Sequence, residues 1–179
     1  DLNIYDNRNH TPLAIAVRDL DIEIVDEILN WYKNNNLKVP SSIISNSMTM
    51  IFSVSNDQFV DAEWKIIRRL SEVQFFDPYM YKVHKYFSKY PLLLTASINN
   101  RIDIIETFIR LNYDIDVYDQ STLNTPLMIS LELGFLEIAK LLIKCPRTNI
   151  NLININDESA LAIAIKNNQK EIVDLILND

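Results

Sequence analysis

The chain has 179 residues, 48% of them apolar, with 17 Lys and Arg against 24 Asp and Glu for a formal charge of -7. That length suits one globular domain or an equally long stack of small units, and the net negative charge opposes a phosphate backbone, so nucleic acid falls to a minor alternative. One glycine, Gly134, cannot build a phosphate loop, and one cysteine, Cys145, with two histidines, His10 and His84, leaves neither an internal disulfide nor a Cys/His zinc cluster.

In chain order, Asp1-Leu-Asn-Ile-Tyr-Asp6 alternates polar and apolar residues into a turn residue, as a short extended segment does. Asp1 to Tyr5 hold no basic, apolar leader, so no signal peptide is expected, and the chain reads as a piece of a longer one. Thr11 to Leu29 then carries apolar residues at helical spacing twice, with a polar break between, which predicts a helical hairpin. Val39 to Asn56 is the longest uncharged stretch, but Pro40, six serines and two asparagines would strand polar groups in lipid. No membrane span is expected. Thr49-Met-Ile-Phe-Ser-Val-Ser and Trp64-Lys-Ile-Ile-Arg-Arg-Leu70 are predicted as the two helices of an irregular second unit. Phe76 to Lys89 exceeds an ordinary connection and is expected to be an insertion with a helical turn after Pro78.

Regularity then returns. Pro91 to Ile109 reads as a hairpin, Asp114-Ile-Asp-Val-Tyr-Asp119 as an extended segment and Thr125 to Ile143 as a hairpin; Asn149-Ile-Asn-Leu-Ile-Asn154 and Ser159 to Leu177 repeat the pattern. In the last, Leu161, Ala164 and Ile165 share a face of the first helix, while Ile172, Val173, Ile176 and Leu177 stripe the second. Four hairpins superimpose without a gap, with Pro91, Thr125 and Ser159 spaced 34 residues apart. Thr11 and Thr125, each followed by proline, fit a helix start. The break between helices holds Asn100, Gly134 and Asn168, residues that tolerate positive φ; Leu20 in the first hairpin is the misfit.

Thr-Pro-Leu, the small residue that follows, the Glu/Asp-Ile-Val/Ile/Ala core of the second helix and the Asp-Ile-Asn-like segment together resemble the ankyrin repeat, over Asp1 to Asn34 and Tyr90 to Asp179. The resemblance implies an all-α solenoid of about five helix-turn-helix units joined by short β-hairpin-like connections. Its units run over 1–34, 37–77 (degenerate), 78–111 (with the insertion), 114–147 and 149–179, within a single domain spanning 1–179. Two departures stand out. The family's histidine after Thr-Pro-Leu, to which the resemblance assigns hydrogen bonds between neighbouring loops, is Ala14, Leu94, Met128 or Ala162 here, so these loops are expected to be held more by packing. The turn glycine before the threonine position is Asn9, Leu123 or Asp157.

Catalysis finds no support. Cys145 follows the second helix of the fourth unit, several units from His10, so a thiol–imidazole pair is not expected. Carboxylate pairs such as Asp21 with Glu23 and Asp114 with Asp116 recur at solvent-facing repeat positions rather than converging into a cleft. We therefore expect no enzyme activity, no cofactor and no metal. Tyr79 to Tyr90 interleaves aromatics with Lys82, His84, Lys85 and Lys89, a composition that suits packing with wet lysines, an acidic peptide or a stacked nucleic acid.

For such a stack the resemblance implies a non-catalytic scaffold that binds a protein or peptide on its concave side, through the hairpin tips and the solvent-facing ends of the first helices. The matching positions include Arg8, His10 and Arg18 in the first unit; Phe87, Tyr90 and Ile98 in the third; Asn124, Glu132 and Leu133 in the fourth; and Glu158 and Lys166 in the fifth. Phe87 and Tyr90 are the expected hot spot, because aromatic anchors bury much area at low entropy cost. A regulatory region of a transcription or chromatin factor, or of an enzyme whose catalytic domain lies elsewhere, is the alternative. The expected setting is intracellular, in cytoplasm or nucleus; the oligomeric state and the partner are not encoded.

Overall fold

Hydroxyls placed before apolar runs open the hairpins. Thr11 Oγ1 accepts the amide of Ala14 at 3.2 Å, Thr125 Oγ1 that of Met128 at 3.3 Å, and Ser159 Oγ that of Ala162 at 3.3 Å. Each satisfies one of the four amides a helix start leaves open. The structure, a computed structural model, describes residues 2–54, 60–73 and 92–178, and among these the regular elements are ten helices. The chain forms two compact units, Asp1–Ser88 and Lys89–Asp179.

In the first unit, α1 (Pro12–Arg18) and α2 (Ile22–Asn34) form a hairpin, followed by α3 (Ser41–Val54) and α4 (Asp61–Ser71). Helix α1 packs on α3 and α2 on α4, burying Leu13, Ala14, Val17 and Val25. Side chains the size of Leu13, Val17 and Val25 contribute about 1.5–3 kcal/mol each when fully buried. Helix α3 begins at Ser41, not near Thr49 as its sequence predicts, and runs for 14 residues. The Pro40 carbonyl accepts the amides of Ile43 and Ile44, and Ile43, Ile44, Met48 and Ile51 then fall on the buried side. Its serines do not break it: Ser47, fully buried, donates to the Ile43 carbonyl at 2.8 Å, so the helix satisfies its own hydroxyl.

In the second unit, α5 (Leu92–Ile98) with α6 (Ile102–Arg110), α7 (Pro126–Glu132) with α8 (Leu136–Ile143) and α9 (Ala160–Lys166) with α10 (Lys170–Leu177) make three hairpins. The first helices pack in the row α5, α7, α9 and the second helices in the row α6, α8, α10. Two helical layers result, with Leu94, Phe108, Met128, Leu131, Ile138, Leu142 and Ala164 sealed between them.

Backbone geometry repeats even where the residue type does not. At the inter-helix break Asn100, Gly134 and Asn168 take φ of 54°, 75° and 54°, and Leu20 follows at 56°. At the turn before each cap Asn9, Leu123 and Asp157 take 64°, 58° and 58°. Leu20 and Leu123 thus hold a conformation that costs an ordinary side chain about 1–2 kcal/mol, imposed by the hairpin around them. The extended segments form no named strand among the described residues; they close on themselves, with one isolated bridge between Ile153 and Ser159.

No helix among the described residues is long and apolar enough to cross a membrane. The insertion expected over Phe76 to Lys89 lies outside the described residues.

Candidate functional site

The tips are built on one turn carboxylate or amide each. Asp6 Oδ1 accepts the amides of Arg8 and His10, both at 2.8 Å; Asp119 Oδ1 accepts that of Ser121 at 2.8 Å; Asn154 Oδ1 accepts those of Asn156 at 2.9 Å and Glu158 at 3.0 Å. Short polar side chains that bond two residues ahead are what such turns select. The His10 amide is the main cause that holds the Asp6 carboxyl below its ordinary value. His10 Nδ1 lies 3.5 Å from Asp6 Oδ2, an ion-pair distance when the ring is protonated. Arg8 is exposed, and Arg18 grips its neighbour Asp19 through Nε at 2.7 Å and Nη2 at 3.0 Å, which lowers the Asp19 carboxyl.

In the second unit four of the expected contact residues meet in one network. Asn124, only 9% exposed, donates through Nδ2 to both Glu132 carboxylate oxygens at 3.2 and 3.1 Å. Its Oδ1 accepts Asn154 Nδ2 from the next tip at 3.0 Å, and that amide nitrogen also reaches Glu158 Oε2 at 3.3 Å. Glu158 Oε1 in turn accepts Lys166 Nζ at 2.9 Å. The lysine is the first cause of a Glu158 carboxyl held below its ordinary value, and the same contact raises Lys166.

Neighbouring loops, expected to be held more by packing, are tied here by hydrogen bonds as well. The Asn124–Asn154 amide pair ties the two tips, helped by the Ile155 amide on the Thr122 carbonyl at 2.9 Å, without the family's histidine. Further out from the tips, Arg147 donates to the Tyr113 and Ile109 carbonyls, both at 2.8 Å, and Asn149 N–H to the Asp116 carboxylate. Burial raises the Asp116 carboxyl despite that hydrogen bond.

What the network leaves outward is apolar. Ile98 and Leu133 are exposed at the ends of their first helices, and Leu123 and Ile155 at adjoining tips. Tyr118 and Ile153, each immediately before a turn residue, are exposed as well. These last two escaped the site expectation. Their signal was the apolar residue before Asp119 and Asn154, recurring as Tyr5 before Asp6. Phe87 and Tyr90, the expected hot spot, lie outside the described residues, as do Lys82, His84, Lys85 and Lys89.

Residues 92–179 match the model of the ankyrin repeat family, in three copies. This stretch is an ankyrin-repeat region. No curated protein matches the chain. Ankyrin repeats are in general protein–protein interaction modules. A cleft of about 450 Å3 between α2, α4 and residues 37–39 of the first unit carries Lys33, Lys38, Asp26, Arg69 and Glu72, with Arg69 paired to Asp26 at 3.0 Å. Among the described residues no group of three or more His, Cys, Asp or Glu side chains could hold a metal ion.

Proposed function

We infer that this protein is a non-catalytic scaffold that binds a protein or peptide on the side formed by its hairpin tips and first-helix ends. The observation that carries the reading is the pairing of exposed Leu123, Leu133 and Ile155 with a tip network that is already satisfied internally. Polar groups that hold one another in place keep the tips in position before binding, which lowers the ordering cost of association. The apolar residues beside them supply area to bury. Arg8, His10 and Arg18 extend the same role to the first hairpin, and an intracellular setting, cytoplasm or nucleus, fits the buried free thiol of Cys145.

The test is affinity capture followed by quantitative binding of the captured protein. Leu133→Asp with Ile155→Asp, both at exposed positions, should weaken binding about tenfold or more while the helical signal stays intact. Lys144→Glu, at the exposed C-cap of α8, should leave it unchanged. Phe87→Ala with Tyr90→Ala should weaken it if the surface continues into the third unit. If Lys82→Glu with Lys85→Glu abolishes binding in a salt-dependent way while the tip changes do nothing, the basic segment is the site and this reading fails.

A further inference from the structure

The hairpin α7–α8 departs from the others at two exposed positions. It packs on α5–α6 at one side and on α9–α10 at the other, so its exposed residues open to solvent with both stacking faces covered. At the positive-φ turn position, where Asn9 and Asp157 stand in the first and fifth units, it has Leu123. At the residue before the inter-helix break, where the other hairpins have Asp19, Asn99 and Asn167, it has Leu133. The two leucines are 38% and 49% exposed, so burial gives little reason for either. Leu123 moreover holds φ of 58°, a conformation that suits asparagine and aspartate better than leucine. Backbone strain kept at an exposed position points to function rather than to stability.

Charge narrows what fits there. Glu132, exposed and next to Leu133, accepts Asn124 Nδ2 on both carboxylate oxygens, and Asn124 adjoins Leu123. The same repeat position holds Arg18, Ile98 and Lys166 in the other hairpins, so this negative charge is particular to α7. Among the described residues no cation pairs with it: Lys166, which feels the Glu132 charge, is held by Glu158 at 2.9 Å. One amide leaves a carboxylate with acceptor sites to spare. Arginine suits them better than lysine, because its fork makes two parallel bonds to a carboxylate while its alkyl stem lies along aliphatic side chains.

We propose that Leu123, Glu132 and Leu133 select the partner, taking a protein segment that sets an arginine on the Glu132 carboxylate and an aliphatic or aromatic side chain over the leucines. The inference rests on the reading of the tips as the binding surface and adds the chemistry of the occupant. The bonds from Asn124 hold the carboxylate in place before the segment arrives, so little ordering is left to the contact. An acidic segment is rejected, since it would bring like charge against Glu132 as water leaves the interface.

The probe is a library of random linear peptides displayed on phage, cleared on the full chain carrying Leu123→Asn with Leu133→Asn and then selected on wild type. Asparagine is the residue the repeat itself uses at Asn9, Asn99 and Asn167, so the variant keeps its fold, which circular dichroism checks. Retained peptides should pair arginine with aliphatic or aromatic residues. The strongest, made synthetically, should bind Glu132→Gln about tenfold more weakly, although glutamine still offers Asn124 an acceptor, and its binding to wild type should fall with salt. Glu132→Arg, which takes the charge of Arg18 and Lys166, should instead prefer the same peptide with glutamate in place of its arginine. Peptides that separate wild type from the asparagine variant yet lack a basic residue, or that bind Glu132→Gln as well as wild type, overturn this inference and leave the tip surface standing. If no peptide separates the two chains, the tip surface itself fails and the inference with it.

Discussion

Replacing Asn154 with alanine removes four hydrogen bonds at once: two from tip amides to its Oδ1 and two from its Nδ2 to Asn124 and Glu158. A net hydrogen bond is worth about 0.5–1.5 kcal/mol, and a buried acceptor left bare costs about 1–3 kcal/mol. The Asn156 amide regains water, whereas Asn124 Oδ1, on a residue 9% exposed, does not. With the four bonds at the low end of that range, because the tip is partly exposed, and the bare acceptor added, the sum is about 3 kcal/mol or more, which for a chain of this length lowers the melting temperature by roughly 6–12 °C. Urea titration of the helical signal measures it directly. Adding Asn124→Ala should cost less than it does alone, with a coupling of about 1 kcal/mol, because the two amides then no longer strand one another. A single-variant change within 0.5 kcal/mol of zero, or purely additive effects, would refute the idea that this amide pair ties the tips.

Three other outcomes follow from the same geometry. Leu20→Gly and Leu123→Gly should each stabilise by about 0.5–1 kcal/mol in thermal melts, since relief of the left-handed strain exceeds the added chain entropy; a loss would mean that leucine packing outweighs strain. Ala164→Asp, at a fully buried position between stacked helices, should destabilise by about 4 kcal/mol or more, and an unchanged melt would contradict the stacking. Glu158 is held below its ordinary 4.5 first by Lys166, so its contribution is present above that value and lost as pH falls through its lower folded value. Carboxyl titration by NMR should show it moving up toward 4.5 in Lys166→Met, and no movement would detach the lysine from the network.

Most of the hairpin architecture is legible in residue pattern because each signal is local. A hydroxyl before proline caps a helix, two stripes of aliphatic residues mark the buried faces, and Asn100, Gly134 and Asn168 mark the breaks. Leu20 shows where locality ends: its side chain argues against positive φ, yet neighbouring helices impose it. The early start of α3 was hidden for the opposite reason. Serine is a weak helix former by type, and here its hydroxyl is satisfied by a carbonyl of the same helix, as Ser47 is by Ile43. At the site, the positions of Asn124, Glu132, Glu158 and Lys166 follow from repeat register, but their mutual hydrogen bonds do not. Contacts across thirty residues, such as Asn154 to Asn124, leave no periodicity to detect.

The central claim is that the tips and first-helix ends of this protein are its binding surface. Hydrogen exchange of the chain with and without its captured protein partner tests that most directly, by locating the slowed amides. Protection should concentrate at residues 121–124, 132–134, 155–158 and 166–168, while the outer faces of α8 and α10 exchange as before. Protection centred on α8 and α10, or on residues 79–90 with the tips unchanged, would contradict it.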